Sequence, residues 1–252
     1  MIFTVVICVY NAFLSCVPYC CRRKKDLTKK VILITGSGSG IGRHLAIQLA
    51  KFDPILILWS KVETTNDETV RLIKEKHPDT VVYAETVDVG NWESLKRKAE
   101  VVLEEYGAVD ILINNAGVVN GRYLSELNSE EILSTIHTNL LAHFWAINLF
   151  LPRMMQNNEG HIVAMASVAG LVGSAQITDY AATKFGLIGL MESLDVELRN
   201  EGYDGIHLST VCPYFVNTGM FEGIETNYQC LLPILKPEYV AKRTIEAIRS
   251  NT

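Results

Sequence analysis

The stretch Thr35-Gly-Ser-Gly-Ser-Gly-Ile-Gly42 sets four glycines into eight residues, between the apolar run Val31-Ile-Leu-Ile34 and the helix-like Arg43-His-Leu-Ala-Ile-Gln-Leu-Ala50. A strand feeding a glycine-rich turn and then a helix brings free backbone N–H groups and the positive end of the helix dipole to one point. A pyrophosphate can sit there, and side chains as small as glycine let it come close. The spacing is not G-x-G-x-x-G, because the sixth position is Ile41 counted from Gly36 and Arg43 counted from Gly38. It is G-x-x-x-G-x-G, carried by Gly36, Gly40 and Gly42. The order of strand, turn and helix predicts a nucleotide at this point.

After Lys30 the chain alternates short β-branched runs with longer amphipathic stretches, the pattern of a parallel sheet covered by helices on both faces. The predicted strands are Val31 to Thr35, Ile55 to Trp59, Val81 to Val87, Ile111 to Asn114, His161 to Ala166 and Ile206 to Cys212. Between and after them, helical spacing predicts helices over Arg43 to Lys51, Glu68 to Lys76, Glu93 to Tyr106, Glu130 to Met155, Tyr180 to Asn200 and Glu238 to Arg249. A chain of 252 residues, 48% hydrophobic, is enough for one large doubly wound α/β domain. The formal net charge of −5 supplies no basic field, which argues against nucleic-acid binding.

The first residues depart from this composition. Ile2 to Tyr19 carries no charged side chain, and Arg22-Arg-Lys-Lys25 follows it. At ~1.5 Å per helical residue such a run nearly crosses a hydrocarbon core of ~30 Å, although Asn11, Ser15 and Pro18 weaken it. A cleaved signal peptide carries its positive flank before the apolar run, whereas here it lies after, which favours an uncleaved anchor. The positive-inside tendency then leaves residues 26–252 on the cytosolic side as the catalytic domain, with 1–25 as anchor and basic stop. Insertion into one leaflet gives the same topology. Four of the six cysteines, Cys8, Cys16, Cys20 and Cys21, lie in or beside this segment, unlike a secreted disulfide framework. Cys20 and Cys21 are candidates for S-acylation, and Cys212 and Cys230 lack the spacing of a zinc site.

Tyr180-Ala-Ala-Thr-Lys184 places a phenol and an ammonium four residues apart, on one helix face. A free phenol titrates near 10, and bringing it near 7 requires ~4 kcal/mol of preferential stabilisation of phenolate, part of which a neighbouring cation supplies. With ten tyrosines in the chain the pair alone arises readily by chance. It gains weight from Ser167, which ends the run Ala164-Met-Ala-Ser167 beyond the fifth strand. Asn139 lies among apolar neighbours on the longest predicted helix, where a buried amide needs partners and more often serves structure than chemistry.

These motifs in this order resemble the short-chain dehydrogenase/reductase family over nearly the whole chain. They are Thr35-Gly36-x-x-x-Gly40-x-Gly42, Asn114-Asn115-Ala116-Gly117, Ser167, Tyr180-x-x-x-Lys184 and Pro213-Tyr-Phe-Val-Asn-Thr218. The resemblance implies a Rossmann domain that binds NAD(P)(H) and moves a hydride to or from it. It implies cofactor contacts from Gly36, Ser37, Ser39, Gly40, Ile41 and Gly42 at the pyrophosphate, and from Ser60, Lys61, Asp88 and Val89 around the adenosine. Asn115, Ala116 and Gly117 lie along the cofactor, and Tyr180, Lys184, Pro213, Val216 and Thr218 lie at the nicotinamide end. Its catalytic set maps onto Asn139, Ser167, Tyr180 and Lys184. Tyr180 is the acid/base, Ser167 holds the substrate oxygen, Lys184 holds the ribose and lowers the Tyr180 pKa, and Asn139 fixes a water beside Lys184.

The apolar N-terminus, Leu58-Trp59, Ala142-His-Phe-Trp145 and Thr218-Gly-Met-Phe-Glu222 are similar to the membrane-associated retinol and steroid dehydrogenase branch. That branch implies a lipophilic alcohol, ketone or aldehyde as substrate, residence on endoplasmic reticulum or lipid droplets, and a homodimer through two long helices. Apolar residues between Met220 and Leu235 are expected to form a lid. Two departures follow. Ser60 and Lys61 stand where the branch carries an acid that binds the ribose of NAD, which tilts the cofactor toward NADP, with Arg43 as a further cation. The chain stops at Thr252 without the family's seventh strand, so an exposed sheet edge is expected, and with it a second reading: a cofactor-binding scaffold at a membrane that lacks turnover.

Overall fold

The computed structural model describes residues 24–220 and 234–252. The chain alternates strand and helix: β1 (Val31–Thr35), α1 (Gly40–Ala50), β2 (Ile55–Ser60), α2 (Glu63–Lys76), β3 (Val81–Thr86), α3 (Trp92–Tyr106) and β4 (Ile111–Asn114). Then follow α4 (Ser129–Ile136), a π turn (His137–Leu141), α5 (Ala142–Asn157), β5 (Gly160–Met165), α6 (Thr178–Asn200), β6 (Ile206–Val211) and α7 (Pro237–Ser250). The strands form one parallel sheet in the order β3-β2-β1-β4-β5-β6. The order reverses between β1 and β4, and the crevice at the carboxyl ends of those two strands is where such sheets bind ligands.

The alternation of side chains along β1 divides the core in two. Leu33 faces one layer with Trp59, Leu112 and Ile162, closed by Ala99 of α3, Phe150 of α5 and Leu187 and Met191 of α6. Ile32 and Ile34 face the other with Leu56, Leu58, Ile113 and Val163, closed by Leu45 and Leu49 of α1, Ile73 of α2 and Ile245 and Ile248 of α7. Central strands covered on both faces read as unbroken apolar runs, which is why Val31-Ile-Leu-Ile34 and Ile111-Leu-Ile113 carry no polar alternation. The outer strand β3 is only partly buried throughout, and it does alternate, with Tyr83 and Glu85 exposed.

Three helices differ from the pattern-based expectation. α1 begins at Gly40, inside the glycine turn. α2 begins at Glu63 rather than Glu68, because a polar first turn leaves no apolar mark in the sequence. The long helix expected from Glu130 to Met155 is interrupted at His137–Leu141, where the Ala142 N–H bonds back five residues to the His137 carbonyl. Such π insertions recur at functional sites, and this one contains Asn139. The apolar run 2–19 lies outside the described residues. Among the described residues no helix is long and apolar enough to cross a membrane. β3 and β6 are the sheet edges among the described residues.

Candidate active site

The crevice begins at the glycine turn. Gly36 (φ +66°) and Gly40 (φ +50°) adopt left-handed backbone that side chains disfavour. A Cβ on Gly42 would lie 2.2 Å from the Gly36 carbonyl oxygen, and one on Gly36 would lie 2.8 Å from Ala116 Cα. The turn therefore closes on itself and on the segment after β4. That segment is pinned by Thr35, whose hydroxyl accepts from the Asn115 and Ala116 N–H groups at 3.0 and 3.1 Å, while Asn115 Nδ2 donates to the Thr35 carbonyl at 2.9 Å. Ser39 caps α1 without a side-chain hydrogen bond, and the first turn holds no acid. The N-terminal donors of α1 thus face the crevice free of a competing carboxylate, an arrangement that fits an anion such as a pyrophosphate.

From this turn a cleft of about 770 Å³ runs across the carboxyl ends of the strands. Among the sequence-predicted residues, Gly36, Ser39, Gly40, Ile41, Ser60, Lys61, Asp88, Val89, Asn115, Ala116 and Gly117 line it at the phosphate and adenosine end. Ser167, Tyr180, Lys184, Pro213, Val216 and Thr218 line the other. Ser37, Gly42 and Asn139 lie behind the wall. Ser37 is fully buried and its hydroxyl donates to Asn66 Oδ1 at 2.7 Å, while Gly42 packs on Gly36.

At the adenosine end Lys61 pairs with Asp88 at 2.8 Å. Arg43 is turned inward, its guanidinium donating to the Gly38 and Thr65 carbonyls and to Thr69 Oγ1. It braces the turn and does not reach across the cleft.

At the other end three segments bring hydroxyl, phenol and ammonium together. Ser167 leaves β5 as the N-cap of a single 3-10 turn, Val168–Gly170, accepting from the Ala169 N–H at 3.1 Å. Gly170 permits this turn to rest on α6, since a Cβ there would lie 2.6 Å from the Lys184 carbonyl oxygen. The Ser167 hydroxyl is hydrogen-bonded to the Tyr180 phenol. Lys184, one helical turn on, places Nζ 5.3 Å from the Tyr180 ring centroid and donates to the Met165 carbonyl at 2.7 Å. Burial raises the Tyr180 pKa above the ordinary phenol value, and the Ser167 hydrogen bond only partly opposes it. Burial lowers Lys184 to about 8, partly opposed by Cys212. In the protein alone the phenol keeps its proton, so the site rests as a donor at that oxygen.

Asn139 is fully buried, and both ends of its amide are engaged. Oδ1 accepts from the Val118 N–H and Nδ2 donates to the Val118 carbonyl, both at 2.8 Å. It splints the loop after β4 to the π turn.

The sequence marked only part of the apolar wall: Tyr214 and Phe215 belong to the Pro213–Thr218 motif, whereas Val118, Val119, Val172 and Ile177 come from loops with no periodic pattern to read. Met220 joins them; residues 221–233 of the expected lid lie outside the described residues, and its last residue, Leu235, is hydrogen-bonded to the backbone of Phe215 and Asn217. Nor did the sequence mark Asp179, buried beside Tyr180, whose Oδ2 accepts from Asn120 Nδ2 at 2.7 Å and from Thr135 Oγ1 at 2.8 Å.

Residues 30–229 match the family described as short chain dehydrogenase. Short-chain dehydrogenase/reductase family 16C member 6 of Bos taurus is 45% identical over 227 residues, 90% of this chain and 72% of that one. Epidermal retinol dehydrogenase 2 of Mus musculus is 42% identical over 227 residues, 90% of this chain and 73% of that one. Among solved structures, a short chain dehydrogenase/reductase from Burkholderia phymatum in complex with NAD superposes with a TM-score of 0.79 at 31% identity, covering 90% of this chain and 88% of that one. With the glycine turn, the Thr35–Asn115 clasp and the Ser167, Tyr180 and Lys184 cluster in one cleft, the chain belongs to the short chain dehydrogenase family.

Proposed function

We propose that this chain is a membrane-tethered NAD(P)-dependent oxidoreductase acting on a lipophilic alcohol and its ketone or aldehyde, of retinol, retinaldehyde or steroid type. The observation that carries it is the hydrogen-bonded Ser167–Tyr180 pair beside buried Lys184, at the apolar end of a cleft whose other end fits a dinucleotide. A bound nicotinamide supplies the centre that takes or gives the hydride. Tyr180 donates its proton to the substrate oxygen in reduction and takes it back in oxidation. Ser167 holds that oxygen, and Lys184 holds the cofactor ribose and favours phenolate by its charge. Asn139 keeps the loop bearing Gly117 and Val118 in register with the π turn. The names of the relatives, one a retinol dehydrogenase, support the substrate class.

The purified full chain in detergent, given retinaldehyde with NADPH or retinol with NADP, is expected to change nicotinamide absorbance. Tyr180→Phe should lower kcat by ~10²- to 10⁴-fold while cofactor still binds. Cofactor binding with no turnover across lipid alcohols would instead assign the chain to the scaffold reading.

We assign a tilt toward NADP to Ser60 and Lys61. Position 60 carries no acid to repel a 2′-phosphate, and with Arg43 turned inward Lys61 is the cation that, among the described residues, lines the cleft at this end, in competition with Asp88. Ser60→Asp should swing kcat/KM toward NAD, and an unchanged NADP:NAD ratio refutes the assignment. The same reading places the domain on the cytosolic side of endoplasmic reticulum or lipid droplets, which protease accessibility of intact membranes tests. It also pairs two copies through α5 and α6, where Phe144, Phe185 and Val196 are exposed; a monomer mass in sedimentation argues against that pairing.

A further inference from the structure

The loop that follows β4 is neither helix nor strand between Asn115 and Tyr123, yet Val118 and Val119 in it line the cleft. Three attachments hold it. Beside the glycine turn, the Thr35 hydroxyl accepts from the Asn115 and Ala116 N–H groups. In the middle, Asn139 bonds both backbone groups of Val118. The third attachment is Asn120, whose Nδ2 donates to Asp179 Oδ2 at 2.7 Å and to Thr135 Oγ1 at 3.0 Å. The Thr135 hydroxyl donates to the same carboxylate oxygen at 2.8 Å, so α4, the loop and the first turn of α6 meet at one atom.

Asp179 is 6% exposed and stands behind the cleft wall. Its Oδ1 has no hydrogen-bond partner among the described residues, and the Arg122 guanidinium is paired with Glu131 instead. Taking a carboxylate out of water costs more than two neutral donors return, and the positive end of α6 offsets only part of that, so this side chain is a poor choice for filling space. The acidity of its neighbour Tyr180 is governed by burial and by Ser167. What the carboxylate adds is a strong acceptor, able to take donors from two other segments at one place. Val119 is the residue before Asn120 and Tyr180 the residue after Asp179, so this clasp joins the apolar wall to the segment that bears the phenol.

We propose that Asp179 is a positioning residue that sets the spacing between the Val118–Val119 wall and Tyr180, and with it the fit of the substrate. Its hold on the loop stands on the fold alone, and the effect on substrate rests on the function proposed above. The cofactor is spared, because the part of the loop beside the glycine turn has its own attachment to Thr35. The clasp needs an acceptor and not a charge, since an amide in place of the carboxylate offers Asn120 and Thr135 the same oxygen. A leucine of similar size offers none, and it leaves Asn120 free to move away with Val119.

The test compares substrate and cofactor kinetics of the full chain in detergent, with retinaldehyde and NADPH as probes. Asp179→Leu should raise KM for retinaldehyde about tenfold while kcat and KM for NADPH stay within about threefold, the signature of lost substrate fit with the chemistry kept. Asp179→Asn, which keeps the acceptor, should return KM to within about twofold of the parent. Asn120→Asp sets carboxylate against carboxylate and should raise KM at least as far as Asp179→Leu. Adding Asp179→Asn to it restores an amide–carboxylate pair in the reverse sense and should recover most of that loss. Equal KM in the parent and Leu chains overturns the proposal, as do equal losses in the Leu and Asn chains, a matching rise in KM for NADPH, or a double variant no better than Asn120→Asp. Amide hydrogen exchange without cofactor or substrate makes the test independent of turnover. Asp179→Leu should speed exchange in residues 118–123 about tenfold and leave residues 31–35 and 40–50 unchanged. Unchanged exchange in the loop overturns the clasp. Should Asp179→Leu not fold, the Asn120→Asp chain and the double variant carry the same comparison. A parent chain without turnover counts against the proposed function, and the exchange measurement then decides whether Asp179 holds the loop.

Discussion

The two ends of strands β1, β4 and β5 handle a lysine in opposite ways. Just before these strands begin stand Lys30, Asp110 and Glu159. Lys30 Nζ donates to Asp110 at 3.0 Å and to Glu159 at 2.7 Å, while the second oxygen of Asp110 accepts from the Val31 N–H at 2.7 Å. Burial pulls the Lys30 pKa down, but the hydrogen bonds to Glu159 and Asp110 outweigh it and leave it raised. Just beyond the other ends of the same strands stand Gly36, Asn115 and Ser167, and the lysine there, Lys184, has among the described residues one carbonyl and no carboxylate as partner. Burial pushes it down to about 8. A cation that holds the fold is matched by the fold, whereas one left short of partners in a cleft is available to a ligand. The division is not simply one of place, because Lys25, near the Lys30 cluster, is also lowered to about 8 by burial despite Glu159.

Lys184→Met is expected to give the largest effect and to break the comparison most directly. Turnover should fall by ~10²- to 10⁴-fold, because the ribose contact proposed for Lys184 and the charge beside Tyr180 would both be lost. Stability should rise by ~1–3 kcal/mol, since a lysine whose ammonium is disfavoured by burial gives way to an apolar chain of similar length. Denaturant melts beside steady-state rates measure both. A Lys184→Met chain that loses stability would mean that this cation is structural after all.

Next in size is the response to acid, which sharpens the contrast through two histidines. His143, buried on α5, has no hydrogen-bond partner among the described residues, while His161 bonds Ser209 at 2.8 Å and lies 3.4 Å from Lys25. Burial lowers both, His143 to about 3 and His161 well below its ordinary value. The sign follows from proton counts. Below about 6.5 the unfolded chain binds a proton at each ring and the native state does not, so stability falls as pH falls, until the native rings titrate in turn. Between pH 7.5 and 5 the loss should be ~3–4 kcal/mol for the pair, with His143→Gln and His161→Gln each removing about half. Glu159 is held below its ordinary range by Lys30, so pH 5 leaves that pair intact. A flat profile across this window would mean that neither ring is buried neutral.

Much of this was legible in the sequence because it depends on local patterns. The central strands are apolar runs, and the observed strand ends fall within a residue or so of the expected ones. The glycine turn is visible because φ +66° at Gly36 favours glycine and a Cβ on Gly42 would lie 2.2 Å from the Gly36 carbonyl oxygen. Ser167, Tyr180 and Lys184 were nameable from spacing and resemblance, and the fold places them in one cleft. What stayed hidden depends on partners distant in sequence. The π turn leaves the apolar periodicity of α4 and α5 unbroken, so nothing announces it. The engagement of Asn139 with Val118, the inward turn of Arg43 and the isolation of His143 each require segments that meet only in the folded chain.

The smallest expected effect belongs to Lys30→Met. Its side chain is 30% exposed, so water screens part of the attraction to Asp110 and Glu159, and the loss should be ~0.5–1.5 kcal/mol. Asp110 keeps its hydrogen bond from the Val31 N–H, which limits the damage to the start of β1. No atom of this cluster lines the cleft, so kcat and KM for both cofactor and substrate should stay within about twofold of the parent values while the melting midpoint falls. The informative quantity is the ratio of the two responses. Lys184→Met should move activity and raise stability, and Lys30→Met should lower stability and spare activity. A Lys30→Met chain whose kcat falls tenfold would show that the two ends of the sheet are energetically coupled, and the distinction between a cation of the fold and a cation of the site would fail with it.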